Sequence, residues 1–389
     1  MSITAPEGFV AAGGSAGIKA AGVPDVAVVT TDDGRAVPAA GVFTSNLAAA
    51  APVQISRAHL EVTGGRAAGV ILTSGNANAA TGAPGRDAAS RLCGAVAQGI
   101  GAQPHEILVC QTGLIGIPFP ADAVAPNLAA IVAARRGNAD SGAAAARAIM
   151  TTDTVPKTAL VKGAGFTVGA MAKGAAMLAP HMATMLALCT TDADVGPDVL
   201  RTALRSAVDV SFNEMTVDGC TSTNDTVLVL ASGRAGAPSL ASLTAALSEA
   251  CLSLSEQMVD DAEGATKVAH IRVAGAESDG AAHVAARKVA DSVLVQCSLN
   301  GEDPYWGRVV SELGSAGVAF DIDKVSVAYG DVVVCAGGVG VTHDMEAVRA
   351  HMAGRHIEIR CDLGLGRGTG AVLGTDLGYG YIDENRTTS

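Results

Sequence analysis

The chain has 389 residues and a formal net charge of −12, and 49% of its residues are hydrophobic but only 3% are aromatic. This length suits one large or two ordinary domains, with a core built mainly from Ala, Val, Leu and Gly. The acidic balance and the scarcity of aromatic side chains argue against a nucleic-acid partner.

Hydropathy and cysteine spacing predict where such a chain functions. No apolar run reaches the roughly 18 residues that a membrane helix needs, so no membrane partner is expected. The eight cysteines form no CxxC pair, which favours reduced, mostly buried thiols over a disulfide framework or a zinc site. We therefore predict a cytoplasmic protein without a bound metal.

Predicted strands alternate with predicted helices and also occur in neighbouring pairs, a pattern that indicates an α/β fold with mixed sheets. The strand-like runs, rich in Val and Ile, are 25–31, 68–73, 107–110, 158–163, 226–231, 267–273, 293–297, 332–336 and 356–361. Helices are predicted over 141–150, from Pro197 onward and over 240–258. The Gly- and Pro-containing segment 233–239 is the predicted linker.

Near the start of the chain, Gly13-Gly-Ser15-Ala-Gly17 matches the G-x-S-x-G pattern of a nucleophile elbow. That motif requires a strand before it and a helix after it. We predict no strand ahead of it, so a Gly-rich loop is favoured, and a serine hydrolase based on Ser15 is kept as an alternative.

Thr112 and Gly113 lie in a Gly-rich turn after the apolar strand 107–110. A threonine hydroxyl and a glycine N–H are suitable donors for the negative oxygen of a tetrahedral intermediate. As a bare dipeptide the pair would be unremarkable.

The segment from Lys173 to Asp192 contains Thr184, which is followed by the apolar residues Met185, Leu186 and Leu188. From this pattern alone, a core threonine in an apolar helix is the favoured interpretation. A threonine at a chain start is different, because its α-amine has a pKa near ~8 and can act as the base for its own hydroxyl.

Several motifs resemble the ornithine acetyltransferases, also called glutamate N-acetyltransferases, and the likeness extends over nearly the whole chain. These motifs are Met171-Ala-Lys-Gly, Ala179-Pro-His-Met-Ala-Thr184-Met-Leu, Thr112-Gly-Leu-Ile-Gly116, Asp261-Ala-Glu-Gly-Ala-Thr-Lys267 and the C-terminal Asn385. The resemblance implies self-cleavage between Ala183 and Thr184, which makes Thr184 the nucleophile and gives an alpha chain, 1–183, and a beta chain, 184–389. It assigns the oxyanion hole to Thr112 and Gly113. It assigns substrate binding to Thr151, Lys173, Thr184, Glu263, Asn385 and Ser389.

The resemblance also implies a fold and partners. The fold is a layered α-β-β-α arrangement with mixed sheets plus a smaller ferredoxin-like α+β part. The enzyme would transfer the acetyl group of N-acetylornithine to glutamate in the cyclic arginine pathway, without a cofactor, as an α2β2 assembly of its cleaved chains. Whether acetyl-CoA also serves as donor is left open. Two departures are Gln111, where serine is common in the family, and Ala176, where glycine is usual.

Two further alternatives come from other classes of protein. An N-terminal-nucleophile aminopeptidase or amidohydrolase on a related frame would release the acyl group to water. An unprocessed small-molecule binding protein would remain a single chain.

Overall fold

The computed structural model describes residues 3–176 and 185–386. The chain is organised into two compact units. The larger unit comprises Met1–Asn213 and Thr221–Met258, and the smaller comprises Glu214–Cys220 and Val259–Ser389. Strands and helices alternate in both units, so the predicted α/β class is confirmed. In the part of the chain that the structure describes, no helix is long and apolar enough to cross a membrane.

Ten strands and six helices of the described residues build the larger unit. Its strands are β1 (Phe9–Gly14), β2 (Val26–Thr31), β3 (Val37–Phe43), β4 (Arg66–Ala67), β5 (Gly69–Asn76), β6 (Ile107–Leu114), β7 (Lys157–Gly163), β8 (Phe166–Lys173), β9 (Leu186–Thr191) and β10 (Thr226–Ala231). Its helices are α1 (Ala51–Val62), α2 (Gly82–Ile100), α3 (Ala121–Ala133), α4 (Ala139–Ala148), α5 (Pro197–Asp209) and α6 (Leu240–Asp260).

Two mixed sheets form the centre of this unit. One has the order β1-β2-β5-β6, in which β5 and β6 are parallel, and the other has the order β4-β3-β10-β9-β8-β7, in which β10 and β9 are parallel. The remaining strand pairs of both sheets are antiparallel. The predicted mixed sheets are therefore confirmed.

The layering of the larger unit follows from the alternation of side chains along each strand. Leu72 and Leu108 of the first sheet pack in one cluster with Met171, Leu188 and Leu228 of the second. The neighbouring residues on β5 and β6 face the opposite way, into a cluster shared with α2 and α3. On the outer face of the second sheet, α5 packs against β3 and α6 places a cysteine against β9. The predicted α-β-β-α arrangement is confirmed.

The smaller unit is built on one mixed sheet with the order β14-β13-β12-β15-β11-β16. Its strands are β11 (Val268–Ala276), β12 (Ser326–Tyr329), β13 (Val332–Ala336), β14 (Val339–Gly340), β15 (His356–Asp362) and β16 (Gly368–Thr375). Its helices are α7 (Asp279–Ala290), α8 (Val293–Asn300), α9 (Trp306–Gly314), α10 (Met345–Ala353) and α11 (Tyr379–Glu384). From β11 to β15 the order strand, helices, strands, helix, strand matches a ferredoxin-like motif with added edge strands.

Two local predictions are wrong. The apolar run 293–297, for which composition predicts a strand, begins α8, because the Ser292 side chain accepts the N–H of Val295 and caps a helix there. A strand, β1, does precede the Gly13–Gly17 motif, where none is predicted. Residues 233–239 connect β10 to α6 inside the larger unit.

Candidate active site

Thr112 and Gly113 lie near the end of β6, where its parallel pairing with β5 becomes irregular at Gly75 and Asn76. Thr112 is 2% exposed, and Gly113 has a φ of 128°, which side-chain-bearing residues rarely adopt. A Cβ added at Gly113 would lie 2.3 Å from the carbonyl carbon of Gly75. Glycine is therefore required both by the backbone angle and by the close approach of β5.

Lys173 ends β8 and brings a buried ammonium group to Thr112. Its Nζ lies 3.5 Å from Thr112 Oγ1, and the residue is only 3% exposed. In the sheet Lys173 pairs with Leu186, the first residue of β9. The strand that follows the predicted nucleophile therefore begins beside Lys173, next to the predicted oxyanion residue Thr112.

Asp153 connects two of the predicted substrate-binding residues, although no motif in the sequence singles it out. Its carboxylate accepts the backbone N–H of Thr151 at 3.0 Å and that of Gly174 at 2.7 Å. The same carboxylate lies 4.0 Å from Lys173 Nζ. Thr151 and the end of β8 are thus held to one buried group.

Two buried lysines lie close to the carboxylate of Asp153. The Nζ of Lys157 lies 2.7 Å from Asp153 Oδ1, and both side chains are 0% exposed. Burial on its own would raise the pKa of Asp153, but the charges of Lys173 and Lys157 and the hydrogen bonds to the carboxylate lower it to about 2. Lys173 therefore places a buried cation beside Thr112, and such a cation favours a negative charge that develops next to it, such as an oxyanion.

A second polar network holds the end of β6, and the sequence motifs do not predict it. Asn224 Nδ2 donates to the backbone carbonyls of Gln111 and Ala77, at 2.8 and 2.6 Å. The side chain of Gln111 accepts a hydrogen bond from Asn78 Nδ2 at 2.8 Å and donates to Thr73. The departure from the family at position 111 therefore lies in a buried, hydrogen-bonded network rather than among the oxyanion donors. Asn78 and Asn224 lie in two segments rich in polar residues, 74–78 and 218–226.

Glu263 and Asn385 both belong to the smaller unit, and the structure brings these two together. Asn385 Nδ2 donates to Glu263 Oε2 at 2.8 Å, and Glu263 is 8% exposed. Ala183, Thr184 and Ser389, which carry the remaining predicted roles, lie outside the described residues.

The alternative nucleophile Ser15 lacks the surroundings of an elbow. It is exposed, and no helix follows it before β2. The backbone N–H groups of residues 16–19 instead donate to the carboxylate of Asp25. The residues after Ser15 therefore form a loop around the buried carboxylate of Asp25, and they do not form a nucleophile elbow. A Gly-rich loop is the interpretation that the sequence favours. Within residues 3–176 and 185–386, no group of three His, Cys, Asp or Glu side chains is placed to hold a metal ion.

Comparison with known proteins gives matches along the whole chain. The model of the ArgJ family matches residues 10–387. The arginine biosynthesis bifunctional protein ArgJ of Thermobifida fusca is 44% identical over 392 residues, covering 100% of both chains. The protein of the same name from Mycolicibacterium paratuberculosis is 46% identical over 396 residues, covering 100% of this chain and 96% of its own.

Solved structures also match. A chain of the Bacillus halodurans arginine biosynthesis bifunctional protein ArgJ is 34% identical, with 51% of this chain and 96% of that chain covered and a TM-score of 0.48. A chain of the Mycobacterium tuberculosis ornithine acetyltransferase, solved in complex with ornithine, is 40% identical, with 46% and 94% covered and a TM-score of 0.42.

Proposed function

Since this chain belongs to the ArgJ family and is an acyltransferase of arginine biosynthesis, we propose that it moves the acetyl group of N-acetylornithine to glutamate. The family predicted from the sequence motifs is thereby confirmed. The acetyl group would travel on Thr184, after the chain has cut itself between Ala183 and Thr184. The pieces would be an alpha chain of 183 residues and a beta chain of 206 residues.

One observation supports this proposal most directly. Thr112 and Lys173 lie 3.5 Å apart, and β9, which begins two residues after Thr184, starts beside Lys173. The proposed oxyanion donor and a buried cation are therefore grouped next to the start of the strand that follows the proposed nucleophile. Fixed donors and charges of this kind usually contribute most to stabilising a tetrahedral intermediate.

The proposed reaction has two half-reactions. The hydroxyl of Thr184 attacks the acetyl carbonyl, its proton passes to the α-amine, and ornithine leaves as the amine while an acetyl ester forms. Glutamate then attacks the ester, regenerates the hydroxyl and leaves as N-acetylglutamate. Such a sequence gives ping-pong kinetics. Thr112 and Gly113 would hold the oxyanion in both halves.

The substrate-binding roles follow from the chemistry of each residue. The buried ammonium group of Lys173, with Thr151 held nearby through Asp153, suits a substrate carboxylate. Glu263, which Asn385 orients, suits a substrate ammonium group. Ser389 would supply a further polar contact. We also propose an α2β2 assembly of the cleaved chains and a cytoplasmic location.

A transfer assay tests the proposal against the hydrolase alternative. The purified protein is incubated with N-acetylornithine and glutamate, and N-acetylglutamate, ornithine and free acetate are measured. We expect N-acetylglutamate to form in step with ornithine, and two bands on a denaturing gel. Release of acetate without transfer would establish a hydrolase, and a single full-length band would favour the binding protein. A parallel reaction with acetyl-CoA and glutamate alone shows whether acetyl-CoA is a second donor.

Replacing Thr112 with valine is expected to reduce kcat for acetyl transfer by about 100- to 1000-fold, because it removes one oxyanion donor and keeps the side-chain shape. Steady-state kinetics on the processed enzyme measure this effect. Thr190→Val is the matched control, since Thr190 is also buried but its hydroxyl contacts only backbone carbonyls. An unchanged kcat in Thr112→Val would remove this residue from the oxyanion hole.

A further inference from the structure

The first step of the proposed function lacks a base. Once the chain is cut, the α-amine of Thr184 can take the hydroxyl proton. Before the cut that nitrogen is part of a peptide bond and has no basicity. Another group must therefore accept the proton when the Thr184 hydroxyl attacks the carbonyl of Ala183.

Asp225 contacts Met185, the residue that directly follows Thr184 in the chain. Its Oδ1 accepts the backbone N–H of Met185 at 3.0 Å, and the nitrogen of Met185 is bonded directly to the carbonyl carbon of Thr184. Asp225 is 0% exposed, and although Ser222 lies close enough to its carboxylate to lower its pKa, Oδ2 has no hydrogen bond of normal geometry among the described residues. A buried carboxylate oxygen without a partner is costly, so its presence requires an explanation.

The residue next to Asp225 ties this loop to the other side of the site. Asn224 donates to the backbone carbonyl of Gln111, whose peptide bond leads into Thr112. The two adjacent side chains thus hold the peptide after the nucleophile and the peptide before the oxyanion residue. The short turn ahead of β10 therefore holds both Met185 and Gln111 in place.

Resting on the proposed self-cleavage, we infer that Asp225 is the proton acceptor of the cleavage step. As the hydroxyl oxygen of Thr184 bonds to the carbonyl carbon of Ala183, its proton passes to the Asp225 carboxylate. When the C–N bond breaks, the same proton passes to the departing nitrogen, which becomes the α-amine. Water then hydrolyses the ester, which restores the hydroxyl and leaves a carboxylate on Ala183.

The electrostatic environment suits this task. Burial raises the pKa of Asp225 well above its usual range, against the opposing effects of the Met185 N–H, of Ser222 and of Lys173, which ends β8 on the other side of β9. A carboxylate with a raised pKa is a stronger base than an exposed one.

Asp192 offers a matched control at the other end of β9. It is also a buried aspartate that accepts backbone N–H groups, from Thr167 at 2.6 Å and from Glu7 at 3.3 Å. Both of its carboxylate oxygens are hydrogen-bonded, and it lies at the far end of the strand from Thr184. Asp192→Asn therefore reproduces the loss of a buried charge on this strand without touching the cleavage site.

The experiment follows cleavage of newly made full-length chain. Wild type, Asp225→Asn and Asp192→Asn are synthesised in a cell-free translation extract, and the appearance of the 183- and 206-residue fragments is timed on denaturing gels. Asparagine keeps the acceptor for the Met185 N–H but cannot take a proton. We expect Asp225→Asn to slow cleavage by about 100-fold or more, which is the usual effect of losing a general base. Asp192→Asn should be cleaved at a rate within threefold of wild type, a margin of about 0.7 kcal/mol in activation free energy.

Cleavage of Asp225→Asn within threefold of wild type would overturn the inference and leave Asp225 as an anchor for Met185. Should circular dichroism show that Asp225→Asn does not fold, the pH dependence of wild-type cleavage decides. The rate should fall as the carboxylate is protonated on acidification, and a rate that stays constant as the pH is lowered until the protein unfolds would contradict the role. A wild-type chain that is never cut would instead refute the proposed function itself.

Discussion

Replacing Thr184 with alanine is expected to leave one uncut polypeptide of 389 residues and to reduce acetyl transfer by about 10⁴-fold or more, the scale seen when a catalytic nucleophile is removed. Alanine has no hydroxyl, so neither the cleavage nor the acetyl ester can form. Intact mass spectrometry of purified protein measures the first effect, and the transfer assay with N-acetylornithine and glutamate measures the second.

Two companion variants make this test specific. Thr184→Ser keeps a hydroxyl on the same carbon and should still be cut and still transfer acetyl groups. Thr202→Ala removes an exposed hydroxyl that bonds to a backbone carbonyl on α5, and it should match wild type in both measurements. A fully active Thr184→Ala protein, or an active wild-type preparation consisting of uncut chain, would contradict the proposed mechanism.

Replacing Asp153 with asparagine is expected to lower the free energy of unfolding by about 3–5 kcal/mol, the usual cost of removing one partner of a buried ion pair. The change removes the carboxylate charge that lies 2.7 Å from the buried ammonium of Lys157 and 4.0 Å from that of Lys173. Urea denaturation measures the loss. Asp122→Asn is the control, since Asp122 is 92% exposed in its pair with Arg91, and its unfolding midpoint should stay at the wild-type value.

The same substitution has a pH signature with a definite sign. The pKa of Asp153 is lowered to about 2 in the folded protein, whereas an unfolded aspartate titrates near ~3.9. The stability that this carboxylate contributes is therefore complete above about pH 4 and is lost as the pH falls toward 2. The difference in stability between wild type and Asp153→Asn should narrow over that interval. A constant difference from pH 6 to pH 2 would show that Asp153 is not ionised in the folded chain.

Local pattern predicts structure reliably where one residue type dominates a segment. The Val-rich runs 25–31 and 226–231 form β2 and β10, and the spaced leucines after Leu240 form α6. The run 293–297 is as apolar as those strands, but the strand prediction is wrong there. The Ser292 hydroxyl caps a helix, so the run begins α8 instead. Short apolar runs do not distinguish a strand from a buried helix by periodicity.

The sequence by itself determined the α/β class and the aromatic-poor core. Motifs spread along the chain determined the family and the prediction of Thr112, Gly113 and Lys173 as site residues. Only the tertiary structure decided that the Thr112 hydroxyl lies 3.5 Å from Lys173 and that Asp153 and Asp225 join them as buried carboxylates. Spacing along a chain reports which face of a helix or strand a side chain occupies. The contacts of a buried charge depend on strands that the fold brings together from distant parts of the sequence, as it brings β6, β8 and the turn before β10 together around this site.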